Sequence, residues 1–370
     1  MDFSYMEDWV EKKERLNAFW EGKSIGRPFV CVTANKEKIN YLSYTKSFRE
    51  KIMDYGYRIK NSEEEIRHTY YGGEATPCVW PDFGPDFTSA CIGGDLVIGE
   101  RSVDSQLMGS IWAKHVIENW DSDLPNIRFN ENGVWLSRGL EFTKKALLRG
   151  QGKYLIESLD IDGGLDTAAG LRGAERLCVD LLDCPDNVGL LLDRIREGNK
   201  QVINILHSLV DGHQGGMVNT YKIYAPGKSY NMRSDFSYMV NPGLFREFAL
   251  PYMIKESETV DYIIFHTHTE DAWKNFTNRL KYLDVICDVP RIHAVEWTCP
   301  NTPIDIKIVG IRKIIGKGKI ALTSASTDEA LELAKLLGNA DSKRIMFLVN
   351  ANSIYDAEKL ISDLEKIHKR

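Results

Sequence analysis

Most of the short signals that disclose a function at sight are missing from this 370-residue chain. No GxGxxG follows a strand pattern, and there is no Walker loop, HExxH or GxSxG. Dinucleotide, nucleotide and serine-hydrolase chemistry therefore lack a motif to rest on. The seven cysteines are an odd number with no CxxC among them. That speaks against a cysteine-built structural zinc site and reads as reduced thiols in a cytoplasmic protein. No stretch approaches the ~20 apolar residues of a membrane span. The opening MDFSYMEDWVEKKERL is charged and amphipathic, unlike a signal peptide. Positive charge is neither abundant nor gathered: 47 Lys and Arg stand against 53 Asp and Glu, for a net charge of −6. The basic stretches Lys307–Lys319 and Lys366–Arg370 read as solvated faces, which leaves nucleic acid out as a partner.

What is present is core material and rhythm. At 43% hydrophobic and 27% charged residues the chain has the make-up of a globular protein with a large core. Residues from Tyr5 to about Glu21 follow a helical pattern stopped by Gly22, and Phe29–Thr33 reads as a short strand. Ser47 to His68 reads as one charged helix, and Pro77-Cys-Val-Trp-Pro-Asp-Phe-Gly-Pro as a strand running into a turn. About Asp95 to Glu131 is irregular, an insertion or a small flanking sheet. From Val134 onward strands and helices alternate. Strands are expected at Lys153–Leu159, Met217–Tyr224, Tyr230–Ser234, Tyr262–Phe265, Ala294–Trp297, Ile320–Thr323 and Ile345–Val349. The last two lead through Ser326 or Thr327 and Ser353, both helix N-cap candidates, into amphipathic helices. So many βα units imply a parallel sheet, and their number favours a (β/α)8 TIM-type barrel with an N-terminal helical extension. Residues 1–76 are expected to pack outside, over part of the mouth or at a homodimer contact. Residues 77–370 are expected to form the barrel.

The most informative stretch is Asp261-Tyr-Ile-Ile-Phe-His-Thr-His-Thr-Glu270. An apolar strand ends in His266, His268 and Glu270, and side chains two apart in a strand share a face. Two imidazoles and a carboxylate on one face make either a metal half-site or an acid/base cluster. Other polar residues at strand ends join the list, among them Glu157, Asp160, Asp162, Tyr221, Ser324 and Asn352. Asp82, Asp235, Tyr224 and Glu296 are candidates for catalysis, and Trp80, Trp297 and Asn350 for holding substrate. Cys299 is the one thiol placed to reach the mouth, as a ligand or as a small buried hydrophobe.

Ser234-Asp-Phe-Ser-Tyr-Met-Val-Asn-Pro-Gly-Leu-Phe-Arg-Glu-Phe-Ala-Leu-Pro-Tyr252, followed closely by the His266 strand, resembles the uroporphyrinogen decarboxylase superfamily, which includes the cobamide-dependent methyltransferases. Leu165–Leu177 and Phe347-Leu-Val-Asn-Ala351 agree with it in order and spacing. The resemblance runs from about Cys78 to the C-terminus and implies a (β/α)8 barrel with a deep mouth. Its decarboxylases grip substrate carboxylates with an arginine-rich segment near the N-terminus. Here Arg27-Pro is followed by no arginine until Arg49, too few cations for a polycarboxylate. Its thiol-methylating members bind zinc through a His-x-Cys pair and a later cysteine. The matching positions here are His266-Thr-His268 and the Asn350/Asn352 region, with Glu270, Glu296, Asp235 and Cys299 as further ligand candidates. The resemblance thus implies a corrinoid (cobamide)-dependent methyltransferase that moves a methyl group between a small substrate or thiol and a corrinoid on a partner protein, with zinc as a metal. The alternatives are a tetrapyrrole decarboxylase using Asp82 and Tyr224, and a non-catalytic ligand-binding barrel.

Overall fold

The computed structural model describes residues 3–103, 106–267 and 276–368. Thirteen strands occur among them: β1 (Phe29–Asn35), β2 (Thr69–Gly73), β3 (Cys78–Val79), β4 (Asp95–Val103), β5 (Gln106–Lys114), β6 (Leu155–Ile156) and β7 (Met217–Val218), then β8 (Tyr224–Ala225), β9 (Ser229–Arg233), β10 (Tyr262–His266), β11 (Ala294–Glu296), β12 (Ile320–Ser324) and β13 (Ile345–Ala351). The central sheet has the order β2-β1-β13-β12-β11-β10-β9. Every pair in it is parallel except β1 with β2. A second parallel pair, β3 with β6, is joined to β7 by a parallel bridge between Glu157 and Val218. The fold is therefore mixed α/β around a mostly parallel sheet, and no closed ring of hydrogen-bonded strands occurs among the described residues.

Two apolar clusters interleave along the same strands. Phe29, Leu155, Ile264, Ala294, Ile320 and Met346 belong to one. Their neighbours Val30, Ile156, Ile263, Val295, Ala321 and Phe347 belong to the other, which also holds the helices' apolar faces. Period-two alternation produces this division, because successive side chains leave a strand on opposite sides. Both faces of the parallel strands are covered, as the near-continuous apolar runs require. The first cluster also takes in Phe3, Trp9, Leu16, Phe19 and Trp20. The N-terminal helix Trp9–Trp20 thus packs against the face opposite the outer helices, beside the first residues of the strands. Trp20 Nε1 donates to Tyr224 O at 2.7 Å, tying that helix to β8.

Helix starts obey the capping signals. Ser326 Oγ accepts from Glu329 N at 3.2 Å before helix Thr327–Asp341, and Ser353 Oγ accepts from Asp356 N at 3.1 Å before helix Ile354–His368. Each satisfies an otherwise orphaned first-turn donor.

Three expectations change. The division at residue 77 assigns Phe29–Asn35 to an outer extension, yet β1 lies between β13 and β2 inside the central sheet. A strand is placed by its pairing partner, which lies more than 300 residues downstream and has no local signature. The helix expected over Ser47–His68 is two, Phe48–Met53 and Tyr55–His68, parted at Asp54, whose side chain caps the second by accepting from Tyr57 N at 2.9 Å. The strand expected over Met217–Tyr224 is a hairpin, β7 and β8, around a turn at Asn219–Ile223. The stretch after Asp95, expected as an insertion or a small flanking sheet, holds such a sheet: β4 and β5 form a long antiparallel ribbon. No helix of the described residues is long and apolar enough to cross a membrane.

Candidate active site

Following the inner face of each strand toward its C-terminal end, the side chains turn polar. Glu157 follows Leu155, His266 follows Ile264, Glu296 follows Ala294, Ser324 follows Leu322 and Asn350 follows Leu348. Arg233 stands opposite His266 in the β9–β10 register, and Thr33 opposite Asn350. An apolar interior is thereby capped by a layer of ionisable and hydroxyl groups at the strand ends, where parallel α/β folds carry their chemistry.

His266 lies at the centre of one cluster. Its Nδ1 is 2.7 Å from the Tyr221 hydroxyl and 3.1 Å from Glu296 Oε2. Glu296 is held in turn by the backbone N–H of Thr267 at 3.2 Å and by the Thr298 hydroxyl. Burial, then the Glu296 carboxylate, pushes the Tyr221 phenol well above its ordinary range, so Tyr221 keeps its proton. An imidazole fixed through one nitrogen by a carboxylate is oriented to act through the other, on a proton or on a metal.

A second cluster centres on Arg233. It pairs with Asp160 and, through Nε at 2.5 Å, with Asp162 Oδ1. Burial opposes the guanidinium charge, but the two carboxylates outweigh it and raise its affinity for the proton. Burial pushes the Asp162 carboxyl upward, with Asp160 adding to it and Arg233 opposing it. Asp82 is raised by burial and by Asp160, against a hydrogen bond from Gly84 N at 2.6 Å. Glu157 stands apart for want of partners. It is 1% exposed, and neither carboxyl oxygen has a hydrogen-bond partner among the described residues. Burial lifts it to about 8, with Lys222 opposing and Asp82 and Asp160 reinforcing. A carboxylic acid that stays protonated near neutral pH results.

Two cavities open here. One of about 390 Å³ is bordered by Tyr41, Tyr71, Cys78, Trp80, Asp82 and Lys222. The other, about 590 Å³, is bordered by Thr33, Tyr221, Lys222, Cys299, Ser324 and Asn350, among others. Lys222 borders both. It stands in the β7–β8 turn with φ of 58°. Asn219 braces that turn: its side chain accepts from Tyr221 N and Ile223 N, and its carbonyl accepts from Lys222 N at 2.8 Å. A left-handed conformation at a residue with a long side chain is costly and persists where surrounding bonds impose it.

The residues expected at the mouth divide. His266 and Glu296 meet; Trp80 and Asp82 border the first cavity, and Asn350 and Cys299 the second. Asp235 is exposed, one residue past Ser234, its backbone N–H donating to Asp166. Trp297 lies on the opposite strand face from Glu296, buried, with Nε1 donating to Lys307 O at 3.1 Å. Tyr224 is a packing residue in the interior cluster, its ring 5.0 Å from that of Trp9 and its hydroxyl on Gly215 O. His268 and Glu270 lie outside the described residues. Glu157 and Tyr221, polar residues at the ends of expected strands, stand in these two clusters. Lys222 and Arg233 carry no such signal in the sequence. Arg27, the counterpart of the decarboxylases' gripping arginines, is spent on a bidentate ion pair with buried Glu74, at 2.7 and 3.0 Å.

Whether zinc fits rests on the donor set. His266 with Glu296 behind it has the form of a metal-ligating histidine and its supporting carboxylate. Among the described residues no three His, Cys, Asp or Glu side chains come together in a way that could hold a metal ion. The set is thus incomplete without His268 and Glu270.

The chain matches no family model and no curated protein. Among solved structures it is similar to a methyltransferase from Methanosarcina mazei, at 13% identity and a TM-score of 0.61, over 96% of this chain and 99% of that one. At that identity the likeness is one of fold. It extends over the N-terminal segment as well as the sheet. An intracellular xylanase from Thermoanaerobacterium saccharolyticum aligns at 11% identity over 60% of this chain and 72% of that one, with a TM-score of 0.30, which carries no argument.

Proposed function

We propose that this chain is an enzyme of the methyl-transferring kind, working in the polar mouth at the strand ends on a small substrate. On this reading the strands enclose a TIM-type barrel of the uroporphyrinogen decarboxylase-like form, with β3, β6 and the central parallel strands as its staves. The observation that carries the activity is the His266–Tyr221–Glu296 cluster at the ends of β10 and β11, in a fold shared with a methyltransferase.

Removing a methyl group from a heteroatom, or loading one onto it, requires control of that atom's proton. Glu296 and Tyr221 hold His266 at Nδ1, which commits its other nitrogen to the substrate's proton or to a metal. Arg233, clamped by Asp160 and Asp162, stands fixed across the strand register from it. A corrinoid on a partner protein supplies a methyl-accepting or methyl-donating cobalt in this scheme, and zinc would be held by His266 with His268.

The test is to incubate purified protein with reduced cobalamin and a panel of small O-, N- and S-methyl compounds, following methylcobalamin by absorbance. Formation that His266→Ala abolishes supports the proposal. Ligand binding with no turnover across the panel would place the chain among binding proteins, and release of carbon dioxide from a porphyrinogen would make it a decarboxylase.

A further inference from the structure

Lys222 is a cation in the wall of both cavities, and its side chain makes no hydrogen bond or ion pair among the described residues. Its position is built. Thr76 Oγ1 donates to its carbonyl at 2.8 Å, and Asn219 caps the turn on both sides, so the left-handed backbone is pinned from two elements. Surface lysines are ordinarily free to wander; this one starts from a fixed Cα at the junction of two cavities.

Beneath it is Glu157. In the β3–β6 register Cys78 lies opposite Leu155 and Val79 opposite Ile156, so Glu157 falls in step with Trp80, a wall residue of the first cavity. Leu155 is inward-facing, and period two sends Glu157 the same way. Its oxygens are buried and without partners. Lys222 acts on the Glu157 carboxyl through its charge, yet no ion pair joins the two among the described residues.

We propose that Lys222 binds the carboxylate of a small organic mono-anion, and that Glu157 keeps that lysine's charge available by remaining uncharged beneath it. This deepens the methyl-transfer reading and rests on it for the reaction, though not for the binding. Tyr221, the residue before Lys222, borders the second cavity and touches His266. A carboxylate on Lys222 thus places the rest of a small substrate in the second cavity, toward His266. Thr33, Thr298 and Asn350 offer that remainder neutral hydrogen-bonding groups.

Charge bookkeeping around the pair agrees. Glu65 and Arg58 come from helix Tyr55–His68, Asp82 from the segment after β3, Asp160 from that after β6, and Cys78 from β3; Tyr41 and Tyr71 are neutral near pH 7. Arg58 is occupied by Asp82 O at 2.7 Å and stacks on Phe142. Lys51 also borders the first cavity, and Lys307 in the second is held by Ser324 O and Glu329; Lys222 is the cation that borders both. When Glu157 ionises it competes with an incoming anion for that charge, so anion affinity declines as pH rises through about 8.

The experiment is calorimetric titration of the full chain, without any corrinoid, with methoxyacetate and benzoate against their neutral amides and inorganic phosphate. The acids are expected to bind at least about tenfold more tightly than the amides, the scale of one charge-assisted hydrogen bond. Lys222→Met should abolish that preference and Lys222→Arg retain most of it. Glu157→Gln should leave binding at pH 7 intact and remove its decline above pH 8. Equal binding of acid and amide, an unchanged preference in Lys222→Met, or phosphate binding as tightly as the acids would overturn the proposal. Lys222→Gln, with a thermal melt of each variant, answers the question if Lys222→Met does not fold. Methylcobalamin formation is read separately: binding with no methyl transfer from methoxyacetate sinks the reaction and leaves the subsite standing.

Discussion

The carboxylate of Glu296 stands 3.1 Å from Nδ1 of His266, with its own side chain only 7% exposed. A buried carboxylate beside an imidazole orients the ring. Glu296→Gln keeps the shape and an acceptor for Thr267 N but removes the charge. The methyl-transfer rate is expected to fall roughly 100-fold, the lower scale of acid–base catalysis, with little change in melting temperature. Tyr221→Phe should cost less, since Glu296 still holds the ring. Initial rates beside thermal melts decide the matter, and unchanged rates in both variants would remove the cluster from catalysis.

Stability should fall as the solution is made more alkaline from about pH 5 to 8. Burial raises Glu157 from 4.5 to about 8, Glu256 from 4.5 to about 7 and Asp166 from 3.8 to about 6. In that window the unfolded chain has released protons that the folded chain still holds, so rising pH favours unfolding. Glu157→Gln removes the largest of these differences. It should flatten the slope and gain on wild type at pH 8 relative to pH 5 by a few kcal/mol, at roughly 1.4 kcal/mol per pKa unit. Urea denaturation at both pH values measures it, and parallel pH curves for the two proteins would refute it.

Glu74 binds three groups at once: Arg27 in bidentate fashion, Arg15 Nε at 2.8 Å and the backbone N–H of Val30 at 2.8 Å. It is fully buried, and Arg27 nearly so. Together these anchor the start of β1 to the segment after β2. Glu74→Ala strands a buried guanidinium and should cost about 3–5 kcal/mol, as for breaking one side of a buried pair. A shift in denaturation midpoint smaller than a surface substitution produces would contradict this.

Metal content tests the histidine pair. Protein purified without chelator or affinity-column metal is expected to carry near-stoichiometric zinc by elemental analysis, lost in both His266→Ala and His268→Ala. If wild type holds none while both variants are inactive, the pair belongs to proton transfer.

Much of this was legible beforehand, and for stated reasons. The strand Tyr262–His266 was readable from its apolar run, and His266 at its inner, C-terminal end followed from the two-residue period. The same period separates Trp297 from Glu296, one residue apart and so on opposite faces; the alternation alone sends Trp297 outward to Lys307. Ser326 and Ser353 were recognisable as caps because a cap's bond spans only three residues. All of these depend on sterics and hydrogen bonds between near neighbours in the chain.

The rest depended on who meets whom. Arg233 finds Asp160 across 73 residues, Tyr221 finds His266 across 45, and Glu74 finds Arg27 across 47. Lys222 stands between two cavities only because the β7–β8 turn, helix Tyr55–His68 and the ends of β1 and β13 converge there. The sequence by itself determined which side of each strand a residue faces, since that follows from the geometry of a single peptide chain. Only the tertiary structure decided which charges are paired and which, like Glu157, are left alone. Pairing and burial are set by the closing of distant segments on one another, and no local pattern encodes them.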